Sequence, residues 1–425
     1  MRPLPNLPLC ALGLSLALLA ACRPVPPATG AATSSPPPVT QSPTSSPASP
    51  PLRPDQIFDF PEAESISVVA DPAGALIVAL GQGHSLFVAR SADDGRTVSA
   101  PALATGDRTA HVLGLESPAL AVNEAGRFGL AWLEIPPDFN GGQVWYAFSD
   151  DGGRTFTPGQ LAATDRSGET TMVALALTNT GDPILAWLNG SRLRVVRSFD
   201  QGRTFQSAQN LDTGSCECCQ PQVLVNGDNV YLAYRSLEPT PEAGDIRDIV
   251  LIRSLDGGQR FAPITRVSDA HWYLSACPIA GPSLAAFGQD LYVAWMDGRS
   301  APPGTFSRGD VWLARSRDGG VHFSANVRVN PDESQHHTKP AIAVGPDGRL
   351  HIVWEVQGDA GAALYYARSD DGGLTAAAPR VIVSGADGAF GRPRMPMLTV
   401  TPTGQIAVAW IDQQGAHLGL WPGQN

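Results

Sequence analysis

A short turn motif recurs along the chain, in its fullest form as Ser149-Asp150-Asp151-Gly152-Gly153-Arg154-Thr155-Phe156. Related stretches begin at Ser91 and Ser198, and three shorter versions begin at Ser254, Ser316 and Ser369. The shared aspartate follows the serine by two residues, and the six positions are Asp93, Asp151, Asp200, Asp256, Asp318 and Asp371. Six copies in one chain indicate a repeat architecture, in which each unit buries its apolar surface against its neighbours.

The residue types of this motif point to a structural turn. An aspartate carboxylate accepts hydrogen bonds from nearby backbone N–H groups, and glycine adopts backbone angles that other residues resist. Alternating apolar runs precede the motif, for example residues 86–90 and 311–315, and such alternation is typical of a strand. We therefore predict that each copy closes a β-hairpin and that none of the six aspartates is catalytic.

A second repeated element is a strand that ends in a small residue and an aromatic, as in Ala131-Trp132. Seven such strands, about 55 residues apart, run from Ala79-Leu80, a degenerate copy, to Ala409-Trp410. The pattern predicts an all-β fold, a β-propeller of four-stranded antiparallel blades. Seven blades are favoured, and six blades are the alternative.

The last repeat is predicted to have three strands, near residues 396–400, 406–410 and 417–421, and to lack a fourth. An extra strand near Gln56–Phe60, ahead of the first blade's own opening strand, is predicted to supply the fourth. This pairing would close the ring and remove two exposed sheet edges. We expect a monomer.

The turn motif resembles the Asp-box, or BNR repeat, of the sialidase superfamily, and the resemblance spans nearly all of residues 54–425. Enzymes of that superfamily hold the substrate carboxylate with three arginines, the first in an Arg-Ile-Pro motif, and use a tyrosine nucleophile with a glutamate and an aspartate. Arg235, Arg299 and either Arg392 or Arg394 offer a similar arginine cluster. This chain has no Arg-Ile-Pro motif and no tyrosine after Tyr366.

Three classes of function follow from these residues. The first is a noncatalytic propeller that binds a glycan or a protein, because a shared fold does not by itself transfer a reaction. The second is an exo-sialidase type of glycoside hydrolase, which the resemblance implies. The third is an extracytoplasmic metal-binding or redox protein, which an unusual set of cysteines suggests.

One face of the propeller is expected to carry the ligand site. The loops that join the second and third strands of each blade lie on the face opposite the turn motifs, and loops 236–248 and 297–310 are long. The candidate ligand-face residues are Glu134, Arg235, Asp297, Arg299, Glu355, Arg392, Arg394 and Asp412.

The cysteines Cys216, Cys218, Cys219 and Cys277 are the residues of the third class. Alignment on the proline that opens each blade puts Cys216 and Cys277 in the same register, and His336 and His337 lie near the equivalent position of the next blade. A disulfide between neighbouring blades, Cys216–Cys277 or Cys219–Cys277, is the favoured interpretation in an oxidising compartment. A copper or zinc site of thiolates and imidazoles is the alternative, followed by free structural thiols.

The N-terminal residues 1–21 predict an export signal. Arg2 is the only charge ahead of the apolar run 9–21, which is too short to span a bilayer. The sequence Leu19-Ala20-Ala21-Cys22 resembles a bacterial lipobox, which implies a lipidated Cys22 and anchoring by acyl chains. Residues 22–53 are rich in Pro, Ser and Thr and predict a disordered tether, and residues 54–425 form the folded domain.

Charge and the predicted anchor define the expected partners. The formal net charge of −11 argues against a nucleic-acid-binding surface. We expect the protein in the cell envelope, attached to a membrane by its lipid, with a glycan or protein as ligand. Because Arg23 rather than Asp follows Cys22, the likeness to sorted lipoproteins implies the outer membrane in a cell that has one.

Overall fold

A computed structural model describes residues 50–112, 114–241, 244–302, 308–331, 334–358, 361–385 and 392–423. The signal, Cys22 and nearly all of the predicted tether lie outside the described residues. Residues Ala48–Asn425 belong to one compact unit. All regular elements in the described ranges are strands, and these ranges contain no apolar helix of membrane-spanning length.

Seven four-stranded antiparallel sheets make up the fold. Sheet 1 contains Ser65–Ala70, Leu76–Gln82, Ser85–Ser91 and Ala102–Leu103. Sheet 2 contains Ala119–Val122, Phe128–Glu134, Gly142–Ser149 and Gln160–Asp165. Sheet 3 contains Thr170–Leu177, Pro183–Asn189, Arg192–Arg197 and Gln209–Asp212. Sheet 4 contains Gln222–Asn226, Asn229–Arg235, Ile249–Ser254 and Thr265–Arg266.

The remaining three sheets follow in chain order, except for one strand. Sheet 5 contains Ser283–Phe287, Asp290–Asp297, Asp310–Ser316 and Val327–Arg328. Sheet 6 contains His336–Val344, Leu350–Gly358, Gly361–Ser369 and Arg380–Ser384. Sheet 7 contains Arg394–Val400, Ile406–Asp412, Gly415–Trp421 and, from the other end of the chain, Gln56–Phe60.

The sheets form a closed ring. The first strand of each sheet contacts the first strand of the next, and sheet 7 contacts sheet 1. Gln56–Phe60 pairs with Gly415–Trp421, with Phe58 opposite Leu418, so the N-terminal strand completes the last sheet as predicted. The fold is a β-propeller, and we interpret each four-stranded sheet as one blade.

The core lies between neighbouring sheets, where the repeated aromatic residues are buried. Trp295 of sheet 5 is 0% exposed and packs with Tyr231 and Leu251 of sheet 4. Trp410 of sheet 7 packs in the same way against Val353 of sheet 6. Burial of these rings, together with the aliphatic residues around them, contributes apolar stabilisation between the sheets.

The turn motifs close hairpins through a fixed set of hydrogen bonds. Asp200 accepts the Thr204 hydroxyl at 2.6 Å and the Thr204 backbone N–H at 2.8 Å, and these bonds, with one from Ser198, lower the pKa of Asp200 to about 2. Gly202 has a φ of +86°, and a Cβ there would lie 2.3 Å from the Tyr146 ring. The aspartates of the other five copies also accept backbone N–H groups.

One small sheet was not predicted. Glu238–Pro239, Asp245–Ile246 and Tyr273–Leu274 form a three-stranded sheet, so part of the long loop 236–248 is ordered as strands. Strands of two residues leave no alternating pattern in the sequence, which is why they were missed. The sheet fixes the backbone directly before Arg247, whose N–H donates to the Trp272 carbonyl at 2.8 Å.

Candidate functional site

Four of the predicted ligand-face residues meet in one cavity between sheets 6 and 7. The cavity measures about 320 Å³, and its lining includes Glu355, Arg392, Arg394 and Asp412. Glu355 lies on the second strand of sheet 6, Arg394 begins the first strand of sheet 7, and Asp412 ends the second strand of sheet 7. Two acidic and two basic residues therefore line the same space, which we call the Glu355 cavity.

Asp412 is the most constrained of these groups. Its side chain is 0% exposed, and its Oδ1 accepts the Gln414 N–H at 2.6 Å and lies 3.0 Å from Nε2 of His417. The other ring nitrogen of His417 lies 2.7 Å from Oδ1 of Asp59 on the closing strand. Oδ2 of Asp412 has no hydrogen-bond partner among the described residues, and such a buried oxygen is costly unless a ligand or water satisfies it.

Glu355 is held by neighbours on both sheets. The side chain is buried. One carboxylate oxygen accepts the Met395 backbone N–H at 3.4 Å, and the other accepts a hydrogen bond from the Gln357 amide. Met395 lies in a bulge between Arg394 and Met397 and has a φ of +55°. This left-handed backbone is strained for a methionine, and such strain clusters at functional sites.

The same distortion recurs around the centre of the ring. Met172, Ile279 and Lys339 also have positive φ values, and with Met395 and Cys218 they line a small cavity at the mouth of the central channel. Nothing in the sequence marked the four residues with positive φ, because positive φ in a methionine, isoleucine or lysine follows from tertiary packing and not from local preference.

Glu116 is a second buried carboxylate near this channel mouth. Its Oε1 accepts the Met172 backbone N–H at 3.3 Å. Burial raises the pKa of Glu116 to about 7, although the Met172 hydrogen bond opposes the shift. The residue was not among the sequence candidates, since a lone glutamate ahead of a strand carries no motif.

Arg235 does not serve the ligand face, contrary to the prediction. It is 1% exposed, and its guanidinium donates to the carbonyl oxygens of Ala280, Arg247 and Met296 at 3.0, 2.7 and 2.7 Å. Because the side chain is buried and each of its three guanidinium nitrogens donates inside the protein, Arg235 is not available to a ligand. Arg235 instead joins sheets 4 and 5.

Asp297 and Arg299 form an internal ion pair. Asp297 is buried, and its Oδ2 accepts the Trp295 indole N–H at 2.8 Å and the Arg299 guanidinium at 2.6 Å. Arg299 also donates to Asp269 at 2.6 Å and stacks 4.0 Å from the centre of the Trp312 ring. Arg299 does not line the cavity that contains Arg392 and Arg394, so the three arginines of the resemblance do not share that cavity.

Glu134 lies apart from the Glu355 cavity. It lines a wider, more open cavity of about 750 Å³ together with His84, Asn140 and Arg166. Its Oε1 accepts the Thr109 hydroxyl at 3.0 Å. The eight candidates thus divide into one converging group of four, one ion pair, one buried arginine and this separate glutamate.

The four cysteines come together, but their pairing differs from the prediction. The disulfide joins Cys218 to Cys277, with their Cα atoms 6.6 Å apart, so both predicted pairings, Cys216–Cys277 and Cys219–Cys277, are wrong. The reason is a turn in which the Cys219 N–H donates to the Cys216 carbonyl at 3.2 Å. This turn buries Cys216 and Cys219 as free thiols and leaves Cys218 beside the loop of Cys277.

The two histidines do not join the cysteines. The four sulfur atoms lie within 4.8 Å of one another, and this group of possible metal ligands includes neither His336 nor His337. Nδ1 of His337 accepts the Trp354 indole N–H at 3.0 Å. The predicted metal site of thiolates and imidazoles is therefore wrong in including the histidines, because His337 packs within sheet 6.

Comparisons with known proteins show the fold. No family model matches the chain, and no curated protein matches it. A solved polysaccharide lyase, described as an ulvan lyase, is 14% identical with a TM-score of 0.55 and covers 87% of this chain and 96% of its own. An α-L-arabinanase of Penicillium chrysogenum is 13% identical with a TM-score of 0.50, covering 88% and 97%.

A leech intramolecular trans-sialidase is also similar, with 12% identity, a TM-score of 0.49 and coverage of 71% of this chain and 67% of its own. The similarity to the lyase and the arabinanase, at 14% and 13% identity, establishes a shared propeller fold and nothing about the reaction. The function has to be argued from the residues of the site.

Proposed function

We propose that this protein is a glycan-binding propeller of the bacterial cell envelope and that the Glu355 cavity holds one sugar unit of its ligand. The observation that carries the proposal is the convergence of Glu355, Arg392, Arg394 and Asp412 on a single cavity. Its volume of about 320 Å³ falls in the usual range for small-molecule sites, about 300 to 1,000 Å³.

The chemistry of the lining suits a carbohydrate. Sugar hydroxyls donate to carboxylates and accept from guanidinium groups, and a buried carboxylate gives the stronger, charge-assisted bond. Asp412 has a buried oxygen that lacks a partner among the described residues, and Arg392 and Arg394 would favour a sugar that carries a carboxylate. The solved propellers of similar fold include proteins described as acting on polysaccharides, which supports a glycan over a protein as ligand.

The test is binding of the full chain, purified in detergent, to an array of neutral, uronate-containing and sialylated oligosaccharides. We expect capture by the acidic members, and a loss of at least about tenfold in Glu355→Gln and Arg394→Met. Asp370→Asn, which changes an exposed carboxylate on the turn-motif side, is the matched control and should bind normally. Absence of capture, or capture that both cavity variants retain, contradicts the proposal.

Hydrolysis is a second candidate, favoured by the presence of Glu355 and Asp412 in one cavity, since most glycoside hydrolases use a pair of carboxylates. The sialidase form of the reaction needs a tyrosine, and no tyrosine lines the described part of this cavity. We therefore expect no turnover of a fluorogenic sialoside. Turnover that disappears in both Glu355→Gln and Asp412→Asn would instead establish an enzyme.

A further inference from the structure

The four cysteines form a compact centre at the mouth of the central channel. Cys218 and Cys277 share a disulfide, whereas Sγ of Cys216 lies 2.8 Å from Sγ of Cys219 and 3.7 Å from Sγ of Cys218. One disulfide and one dithiol are thus in contact. The disulfide cysteines are partly exposed, and Cys218 lines the channel-mouth cavity, while Cys216 and Cys219 are each 1% exposed.

Cationic side chains surround the buried pair. Arg247 donates from Nη1 to Sγ of Cys216 at 3.1 Å, and the charges of Arg235 and Lys339 act on the same pair. The Cys219 thiol and these guanidinium groups lower the pKa of Cys216 to about 6, against the effect of burial. Burial and the neighbouring Cys216 raise the pKa of Cys219. The contact with Arg247 favours a thiolate on Cys216 over one on Cys219.

We propose that these four cysteines are a redox centre in which the disulfide exchanges between the exposed pair, Cys218–Cys277, and the buried pair, Cys216–Cys219. A thiolate is the attacking species in such exchange, and Cys216 is placed to act as that nucleophile. This inference is independent of glycan binding.

The exchange balances without an outside oxidant. The Cys216 thiolate attacks Sγ of Cys218, so that the Cys216–Cys218 bond forms, the Cys218–Cys277 bond breaks, and Cys277 leaves as a thiolate. Cys219, whose sulfur lies within 4.8 Å of that of Cys277, gives its proton to Cys277 and attacks Cys216. The Cys216–Cys219 bond forms and Cys218 leaves as a thiolate. One disulfide, one thiol and one thiolate are present before and after.

The two cysteine pairs differ in solvent exposure, and this difference gives the exchange a role in electron transfer to other molecules. A thiol or disulfide of another envelope molecule reaches the exposed pair first, whereas the buried pair is reached only through Cys218. The buried dithiol therefore stores two electrons that it delivers to the surface pair. A metal held by all four thiolates would require the Cys218–Cys277 bond to be absent, so bound metal is an alternative outcome of the test.

The experiment maps the disulfides of the full chain. The protein is held at pH 8 or pH 4, quenched with acid and alkylated with N-ethylmaleimide, and the remaining disulfides are then reduced, alkylated with iodoacetamide and assigned by tandem mass spectrometry. In the wild type we expect both pairings at pH 8. After transfer to pH 4 exchange should stop, because acid removes the thiolate that exchange requires.

Single variants separate the two steps. Cys219→Ser should accumulate the Cys216–Cys218 bond with a free Cys277 thiol, whereas Cys216→Ser should keep only Cys218–Cys277. Arg247→Gln should slow exchange by about tenfold, since the thiolate loses its nearest cation. Cys219→Ala replaces Cys219→Ser if tryptophan fluorescence shows that the serine variant is misfolded.

Two results would overturn the proposal. The first is a wild type and a Cys219→Ser protein that both contain only Cys218–Cys277 at pH 8. The second is one equivalent of zinc or copper in the purified chain together with four thiols that alkylate after chelation, which would identify a metal centre instead.

Discussion

The imidazole Nε2 of His417 lies 3.0 Å from Oδ1 of Asp412, and this contact holds the buried carboxylate of the Glu355 cavity in one orientation. The His417 ring is itself stacked on Trp410, with centroids 5.2 Å apart. The hairpin between the second and third strands of sheet 7 thus places a supporting aromatic, a carboxylate and its orienting imidazole within eight residues along the chain, Trp410 to His417.

His417→Phe should destabilise the protein and weaken glycan binding. The variant keeps a ring against Trp410 but leaves the Asp412 carboxylate with one fewer partner, which costs about 1 to 3 kcal/mol for a buried polar group. Urea denaturation and array binding measure the two effects. Asp59→Asn, which alters the exposed partner of His417, is the control and should change stability by less than about 1 kcal/mol; equal stability of His417→Phe and wild type would refute the role of the contact.

Glu116→Gln should stabilise the protein at neutral pH. The pKa of Glu116 is raised to about 7 by burial, so between about pH 4.5 and 7 the unfolded chain ionises this group while the folded chain keeps it protonated. Its contribution to stability therefore falls as pH rises through that window and is level above it. We expect the free energy of unfolding of the variant, relative to that of wild type, to be about 2 to 3 kcal/mol higher at pH 8 than at pH 4.5.

The measurement is urea denaturation of wild type and Glu116→Gln at both pH values. Glu64→Gln changes an exposed glutamate, and its difference from wild type in free energy of unfolding should be the same at both pH values. A Glu116→Gln difference that does not depend on pH would mean that the buried carboxyl ionises normally in the folded state.

Asp151→Ala should lower stability by about 1 kcal/mol, by analogy with the loss of a capping aspartate. The Asp151 carboxylate accepts two backbone N–H groups and the Thr155 hydroxyl, and its pKa is lowered to about 2. A lowered pKa contributes stability above the unfolded value, near 4, that is lost as pH falls toward 2. Thermal unfolding should therefore show a smaller loss of stability, relative to wild type, at pH 3 than at pH 7. The control Asp107→Asn, on an exposed loop, should show no loss at either pH.

Deletion of residues 50–61 should destabilise sheet 7 and promote association of chains. Gln56–Phe60 forms five register pairs with the third strand of that sheet, and Trp421 donates from its indole N–H to the Leu52 carbonyl at 3.0 Å. Without these residues an edge strand is exposed. Light scattering and thermal unfolding measure the effects, and a deletion of equal length within residues 25–45 should leave both unchanged.

Cys22→Ala should abolish incorporation of a fatty-acid analogue and release the protein from the membrane fraction. The expectation rests on the lipobox-like sequence before Cys22 and on the affinity that buried acyl chains confer. Cys10→Ala, within the apolar run, is the control and should be labelled normally. Unchanged labelling of Cys22→Ala would exclude lipid attachment at this residue.

The sequence by itself determined the repeat and hence the all-β propeller. Turn motifs and strand alternation are local signals, because an aspartate, a glycine and an alternating apolar run act on their immediate neighbours. The same signals predicted the closing strand Gln56–Phe60, since the last repeat was one strand short. The grouping of the four cysteines also followed from the register of successive blades, although their pairing did not.

Tertiary structure alone decided which of these residues share a site. Glu355 and Arg394 come from different sheets and meet only when those two sheets pack together, whereas Arg235, in the same repeat position as Glu355, is committed to three carbonyl oxygens. The turn at Cys216 decided that Cys218 pairs with Cys277. Burial, hydrogen-bond partners and positive φ values depend on residues distant in the chain, so equivalent positions of a repeat acquire different chemistry in the folded protein.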